Sequence, residues 1–358
     1  MTRKGPDSLR LVFWRIDLGA RGPGYALRDI RAGADLPSLK ADIIDHLSPD
    51  VLVISGLDYD HDLVTLHAFG ALIADRGTAL PHVFAFPSNA GLRMGRDMND
   101  DGRDDGPDDT QGYGHFAGQR ALALLSRLPI DAEAARDFSG FLWKDLPDAR
   151  LPELEPSVLE AQRLSSTGHW DIPILTSATQ RLHLLIYQAG PPVFGGRSLR
   201  NLYRNHDETA FWLTLLEGRL PMPPPDGPFV LMGGSNLDPN DGDGLHGAMR
   251  ALLTSPLLQD PQPQSEGAIH AANDEFSVAH VGPHALDTVY WPRQPGNLRV
   301  SYILPAAEID VLSSGVLWPA PDSPDAELAA ALDTLEISHR PVWLDLDLRS
   351  IRPAGQIN

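Results

Sequence analysis

The stretch FVLMGGSNLDPNDGDG, residues 229–244, combines an apolar strand with the turn that follows it. Its first four residues are apolar without alternation, a pattern that indicates a strand with both faces buried. Glycine, serine and asparagine follow, and Asp238 is placed to cap the turn. The strand ends at Gly234 without a carboxylate. The stretch therefore predicts a central strand whose end presents small, neutral groups.

Other strands and helices alternate with this one along the chain. The same continuous apolar pattern occurs at 51–54, 122–125 and 182–187, and more alternating strands are predicted at 9–16, 298–304 and 340–346. Helical patterns occur at about 36–48, 61–76, 205–217 and 244–254. Asp60 and Asn205 are the predicted caps of the second and third helices.

Strands buried on both faces predict an α+β fold with two stacked mixed sheets between outer helices, a four-layer α/β/β/α sandwich. Three segments, 87–119, 146–180 and 256–297, are predicted loops that are too long to be simple connections. We expect a single domain over residues 9–348, with tails at 1–8 and 349–358.

Composition narrows the classes of function. The 358 residues carry a formal charge of −19, so the surface repels polyanions and we expect no tight nonspecific binding of nucleic acid. The chain has no cysteine, which excludes thiol catalysis, zinc–thiolate sites and disulfides. No signal peptide or membrane span is visible. We expect a cytoplasmic protein, or a secreted or periplasmic one if a signal peptide was removed. The sequence gives no oligomeric state.

Six segments in chain order carry a family resemblance: ALLSRLPI (123–130), QRLSSTGHWDIP (162–173), PPVFGGRSLRNLYRNHDE (191–208), NLDPNDGDG (236–244), LRVSYILP (298–305) and SHRPVWLDL (338–346). They resemble the bacterial branch of the endonuclease/exonuclease/phosphatase superfamily, which has the deoxyribonuclease-I-like fold. The resemblance covers about residues 9–348. It implies phosphoester hydrolysis with a divalent metal, usually Mg²⁺, held by carboxylates and assisted by an aspartate–histidine pair.

Most positions at which the resemblance implies catalytic or metal-binding groups have been replaced. The replacements are Arg15 for an asparagine, Gly56 for the metal-binding glutamate, Arg120 for a tyrosine, Gln188 for a histidine, Gly234 and Ser301 for aspartates, and Ser338 for the aspartate beside the last histidine. Asn236 and His339 are retained as the remnants of a catalytic set. A strongly hydrated Mg²⁺ needs carboxylate ligands, so we expect no catalytic Mg²⁺ in this pocket.

The replacements favour a different ligand. Carboxylates became neutral and two positions became arginine, whose planar fork suits phosphate or carboxylate. We hypothesise that Arg15, Arg120, Gln188, Asn236 and His339 bind a small anionic ligand or phosphoester in a pseudoenzyme. Further candidate ligand-binding residues are His169, Ser301 and Ser338. The alternative is an atypical metal-dependent phosphodiesterase or phosphatase whose metal is held by non-standard ligands such as Asp58.

The SSTGHWD segment leaves two roles open for its histidine. Thr167 stands where related enzymes have a lysine, a candidate phosphate contact that is lost here. His169 either lines the cleft or packs beside Trp170.

An acidic segment, DMNDDGRDDGPD (97–108), matches a calcium-loop pattern. Gly102 permits its sharp turn, and the candidate ligands are Asp97, Asn99, Asp101, Asp105 and Asp108. An aspartate takes the twelfth position in place of the usual glutamate. The segment predicts a structural Ca²⁺ site, and the alternative is an acidic, solvated loop.

Overall fold

Two mixed β-sheets with helices on their outer faces make up the computed structural model, which describes residues 4–5, 7–99, 101–334 and 338–351. The strands are β1 (Ser8–Arg15), β2 (Val51–Leu57), β3 (His82–Phe84), β4 (Ala121–Ser126), β5 (Arg136–Asp137), β6 (Gly168–Leu175), β7 (Arg181–Gln188), β8 (Phe229–Gly234), β9 (Val289–Tyr290), β10 (Ser301–Pro305), β11 (Val311–Val316), β12 (Ser338–His339) and β13 (Val342–Asp347). The helices are α1 (Tyr25–Arg31), α2 (Asp35–Leu47), α3 (Val64–Ala74), α4 (Pro156–Leu159), α5 (Arg200–Leu216), α6 (Gly247–Thr254), α7 (Glu266–Ala271) and α8 (Ala326–Asp333). Within the described ranges, none of these helices has the length and apolar character that crossing a membrane requires.

The two large sheets have related strand orders. The first runs β11-β13-β1-β2-β4-β3 and the second β10-β8-β7-β6-β5, while β12 and β9 form a separate pair. Each large sheet contains one parallel pair, β1 with β2 and β7 with β8, among antiparallel neighbours. Because the strands of a parallel pair run in one direction, their carboxyl ends lie side by side.

Apolar contact between the inner faces of the two sheets forms the central core. Leu11 and Phe13 from β1 pack in one buried cluster with Trp170 and Ile172 from β6. The alternate residues of β1, such as Trp14, face the other way and pack with helix residues of α2 and α3. A third cluster joins the outer face of the second sheet to α5 and α6. The predicted α/β/β/α sandwich and its continuously apolar strands are thereby confirmed.

The pattern missed one central strand. β6 lies inside the segment 146–180 that was predicted to be a loop, and it pairs with β7 along its whole length. Its sequence, GHWDIPIL, includes a histidine, an aspartate and a proline, which interrupt the apolar run on which strand prediction depends. The aspartate is tolerated because Asp171 pairs with Arg136 and His183 of the flanking strands.

Helix α5 begins five residues before its predicted start, at Arg200. Asn205 is therefore not an N-cap, and the prediction was wrong. It is buried inside the helix, where its side-chain Nδ2 donates 2.7 Å hydrogen bonds to the carbonyls of Gly190 and Ser235. The amide thus ties α5 to the segments that follow β7 and β8. The cap predicted at Asp60 was also wrong, because α3 begins at Val64 with Leu63 as its N-cap residue. The Asp60 carboxylate nevertheless accepts the Thr65 N–H at 2.8 Å.

A buried ion pair joins the first strand to the last. The Arg10 guanidinium in β1 donates two 2.7 Å hydrogen bonds to the carboxylate of Asp345 in β13. It also donates to the Leu47 carbonyl at the end of α2, at 3.0 Å. Both side chains are almost completely buried, so neither charge can be solvated by water if its partner is lost.

We predict that Asp345→Ala lowers the free energy of unfolding by about 3–5 kcal/mol, because Arg10 is left buried and uncompensated. Chemical denaturation measures the change. The matched control is Asp42→Ala, which removes a carboxylate that is 60% exposed and pairs with Arg76 at 2.9 Å. We expect a control effect within about 0.5 kcal/mol. Equal effects in the two variants would contradict the prediction.

Candidate functional site

A cleft of about 640 Å³ lies at the carboxyl ends of the two parallel strand pairs. Arg15 comes from the end of β1, Gly56 from β2, and Gln188 from the end of β7, while Asn236 follows β8. Helix α5 and the loop before β6 complete the walls. The structure therefore brings Arg15, Arg120, Gln188 and Asn236 together, as the sequence predicted.

Four arginines line the cleft, namely Arg15, Arg120, Arg200 and Arg204, and three carboxylates accompany them, those of Asp17, Asp108 and Glu208. The lining is thus not acidic, although the whole chain has a formal charge of −19. Arg200 and Arg204 were missed by the sequence analysis. Their spacing of four residues, which places two side chains on one face of a helix, was the available signal.

Arg200 and Arg204 are held by carbonyl groups of the wall. Arg200 donates to the Met98 carbonyl at 3.0 Å and to the Gln162 side chain at 2.7 Å. Arg204 donates to the carbonyls of Leu164 and Ser165, each at 2.8 Å. Burial lowers the pKa of Arg200 and lowers that of Arg204 to about 10, so both remain charged at neutral pH.

The side chain of Arg120 has fewer partners than those of Arg200 and Arg204. Its backbone has a φ of 53° and its N–H donates to Asp58 Oδ1 at 3.0 Å, but its guanidinium has no hydrogen bond or ion pair with any residue the structure describes. Asp58 itself lies outside the cleft lining. Its second oxygen accepts the Ala20 N–H at 3.0 Å, and burial raises its pKa. Asp58 is the suggested replacement metal ligand, and both of its carboxylate oxygens accept backbone hydrogen bonds.

The two glycines at which the family resemblance implies carboxylates are closely packed by neighbouring atoms. Gly56 has a φ of 89°, and a Cβ there would lie 2.8 Å from the backbone nitrogen of Asp17. A Cβ on Gly234 would lie 2.9 Å from Gln188 Nε2. The Gln188 amide is fixed in that space, because it accepts a 2.8 Å hydrogen bond from Ser55 Oγ and donates to the Ala189 carbonyl at 2.9 Å. The surrounding backbone and side chains have closed over both positions.

The remaining donors do not fit Mg²⁺. Asn236 Nδ2 donates to the Ala189 carbonyl at 2.7 Å, and Asp17 Oδ1 is engaged by Arg15 Nε at 3.0 Å. Among the residues with described positions, no group of three or more histidine and carboxylate side chains could hold a metal. Mg²⁺ requires hard oxygen ligands with near-octahedral geometry, and the cleft carboxylates of the described residues are not gathered into such a set.

Asp17 is a cleft residue that the sequence analysis missed. Its backbone has a φ of 46°, and its Oδ1 lies 3.3 Å from the position that a Cβ on Gly56 would take. Burial alone would raise the pKa of Asp17, but Arg15 and other nearby cations hold it below its ordinary value. The Asp17 carboxylate, which follows β1, therefore lies beside Gly56, the position at which the family resemblance implies a glutamate. No motif pointed to it.

His339 does not line the cleft. It is buried behind Arg15 and Asp17, its ring lies edge-on to Trp291 at a centroid distance of 5.9 Å, and its Nδ1 has no partner among the described residues. Burial, reinforced by Arg15, lowers the pKa of His339 to about 3, so the ring is neutral at physiological pH.

The other predicted ligand-binding residues lie away from the cleft or outside the described side chains. His169 is in the core, stacked on Trp212 with an interplanar angle of 9°, and burial lowers its pKa to about 4. Its ring nitrogens contact Ser165 Oγ and the Glu208 carbonyl, each at 2.9 Å. Ser301 is buried, and its hydroxyl has no partner within the described part of the chain. The Ser338 backbone pairs with Tyr290, while its side chain is outside the description.

The predicted calcium loop turns its carboxylates toward its own backbone. Asp97 accepts the N–H groups of Asn99, Asp101 and Gly102 at 2.7–3.2 Å. The Asn99 amide donates to Asp101, Asp105 pairs with Arg103, and Asp108 lies in the cleft lining. Calcium binding by this loop stays a prediction.

Known proteins share this architecture. A model of the endonuclease/exonuclease/phosphatase family matches residues 39–338. An endonuclease/exonuclease/phosphatase from Beutenbergia cavernae DSM 12333 is similar, with 15% identity, a TM-score of 0.52 and coverage of 96% of this chain and 72% of that one. A family protein from Leptotrichia buccalis C-1013-b shows 13% identity, a TM-score of 0.50 and coverage of 94% and 99%. No curated protein sequence matches the chain. These likenesses confirm the deoxyribonuclease-I-like fold.

We predict that Gly56→Ala lowers the free energy of unfolding by at least about 2 kcal/mol, since the new Cβ meets the Asp17 backbone and the alanine must adopt the positive φ of this position. The matched control is Gly24→Ala, where φ is 80° and no atom lies within 4 Å of a new Cβ. The control should lose about 1 kcal/mol from backbone strain alone. Urea unfolding of both variants measures the difference, and equal losses would show that the space at Gly56 is open.

We also predict that the two buried histidines make folding sensitive to acid. The unfolded chain takes up their protons as the pH falls below about 6.5, whereas the folded His339 and His169 resist protonation until about 3 and 4. Their contribution to stability is complete above pH 6.5 and is lost below it. The slope approaches about 1.4 kcal/mol per pH unit for each histidine.

Urea unfolding at pH 6.0 and 5.0 tests this. In His339→Gln the free energy of unfolding should depend on pH with a slope shallower by the equivalent of about one proton. His61→Gln changes a side chain that is 97% exposed, and its pH dependence should follow that of the wild type. Parallel curves for wild type and His339→Gln would refute the assignment.

Proposed function

The chain belongs to the endonuclease/exonuclease/phosphatase family, and we propose that its cleft binds a small anion, such as a phosphate group, and is not an efficient metal-dependent phosphoesterase. In this proposal, residues at the strand ends of a hydrolase fold bind a ligand and do not hydrolyse it. The protein is then a pseudoenzyme whose partner is a small anionic ligand or an uncleaved phosphoester.

The supporting observation is the Arg120 guanidinium, which lines the cleft without a hydrogen-bonding partner among the described residues. Arg15 adds a second donor, because only its Nε is engaged by Asp17. Guanidinium groups have five N–H donors in a planar fork that matches phosphate oxygens. An anion between the two arginines would supply the acceptors that the protein does not.

The charge of the whole chain restricts the size of the anion. The formal charge of −19 opposes long polyanions, whose affinity depends on many basic side chains. A small anion needs only the local field of the cleft, where four arginines face three carboxylates. Tight nonspecific binding of nucleic acid is therefore not part of the proposal.

One observation favours a second candidate, an atypical metal-dependent phosphodiesterase or phosphatase. The Asp17 carboxylate lies beside the position of the lost glutamate, and it is ionised at neutral pH. With Asn236 and water it could form a minimal site for a divalent cation. This requires Arg15 to release Asp17, which costs the ion pair between them.

We predict that wild-type protein binds inorganic phosphate in a calorimetric titration and that Arg120→Ala weakens this binding about tenfold, the usual cost of one charge-assisted hydrogen bond. Arg15→Ala should act in the same direction. The matched control is Arg28→Ala, because Arg28 is exposed, pairs with Asp29 and lies outside the cleft. It should bind phosphate like the wild type.

Two outcomes would overturn the proposal. The first is no heat of phosphate binding in the wild type. The second is turnover of a generic phosphodiester or phosphomonoester that requires Mg²⁺ or Mn²⁺ and is lost in Asp17→Asn, which would establish the enzymatic alternative instead.

A further inference from the structure

The cleft continues into a second lobe of about 480 Å³, and we propose that this lobe takes an uncharged aromatic or apolar group attached to the anion. The inference rests on the proposed function, since it assigns the arginine-lined lobe to the anionic end. The ligand class is then a monoanionic or dianionic organic phosphate or carboxylate with its charge at one end. Phe194 lines both lobes.

The two lobes form one continuous surface. Arg15, Pro191, Phe194 and Asn236 line both of them. A ligand whose charged end contacts Arg15 therefore has its next atoms at the boundary of the second lobe.

Phe194 is exposed to an unusual degree for its position. Its side chain is 88% exposed at the mouth of the cleft, and its ring contacts no aromatic ring of a described residue. The backbone has a φ of 67°, a conformation that costs a phenylalanine free energy. An apolar ring held in the opening of a polar cleft is stabilised when a ligand covers it.

The loop that carries Phe194 is fixed on both sides. Asn201 Nδ2, on α5, donates to the Val193 carbonyl at 2.8 Å. Ser198 Oγ donates to the Gly195 carbonyl at 3.0 Å. The ring is therefore presented by an anchored backbone, and a ligand would find it already in place.

The second lobe differs from the first in charge. Its cations are Arg15 and Arg293, and its carboxylates are those of Asp238, Asp241 and Asp243, so the local balance opposes a second anionic group. Asp238 and Asp241 are engaged by backbone N–H groups, which leaves them as fixed negative charges. Apolar surface comes from Pro192, Leu298 and the half-buried Trp291. The combination accepts an aromatic or apolar group and disfavours a polyanion.

A titration with phenyl phosphate and with inorganic phosphate tests the inference. We expect wild-type protein to bind phenyl phosphate at least about tenfold more tightly than inorganic phosphate, as the ring adds contact with Phe194. Phe194→Ala should weaken phenyl phosphate binding about tenfold and leave inorganic phosphate unchanged. Arg120→Ala should weaken both.

The matched control is Val281→Ala, at an apolar side chain that is 82% exposed and lines neither lobe. It should bind both ligands like the wild type. Because Phe194 is exposed, Phe194→Ala should also keep the wild-type melting temperature.

The titrations distinguish a failure of this inference from a failure of the proposed function. If inorganic phosphate binds with dependence on Arg120 but phenyl phosphate binds no more tightly, the second lobe is not a ligand site and the proposed function survives. The same holds if Phe194→Ala binds phenyl phosphate like the wild type. If neither compound binds, the proposed function fails and this inference fails with it.

Discussion

Contact between the inner faces of the two sheets is the interaction on which the rest of the structure depends. Residues such as Phe13 and Trp170 are completely buried between the sheets. That contact holds the parallel pairs β1–β2 and β7–β8 with their carboxyl ends toward one cleft. The chemistry of the cleft is therefore decided by single residues at strand ends, because the scaffold keeps these ends together whatever side chains they carry.

Two of those strands carry a glycine that is closely packed by neighbouring groups. The Asp17 backbone occupies the space beside Gly56, and the Gln188 amide occupies the space above Gly234. A carboxylate introduced at either glycine would first have to displace these groups. In the proposed function the arginines supply donors for an anion. We propose that Phe194 extends this recognition from the charge to the rest of the ligand.

The histidines illustrate why residue type alone misleads. His169 and His339 both stood in segments that resemble a hydrolase, and the sequence placed both among the candidates. In the fold each is buried, with a lowered pKa, and neither lines the cleft. Burial depends on which distant residues pack around a side chain, such as Trp212 against His169. That information is not present in the local motif.

The sequence by itself determined the layered α/β/β/α architecture, because continuous apolar strands between helices have few ways to bury both faces. The family resemblance also pointed to four of the cleft residues, Arg15, Arg120, Gln188 and Asn236, because it aligned them with positions of the family's site. Only the tertiary structure decided that β6 is a strand, that α5 begins at Arg200, and that Asp17, Arg200, Arg204 and Phe194 join the cleft. These depend on pairing and packing between segments far apart in the chain, where long-range contacts outweigh local preference.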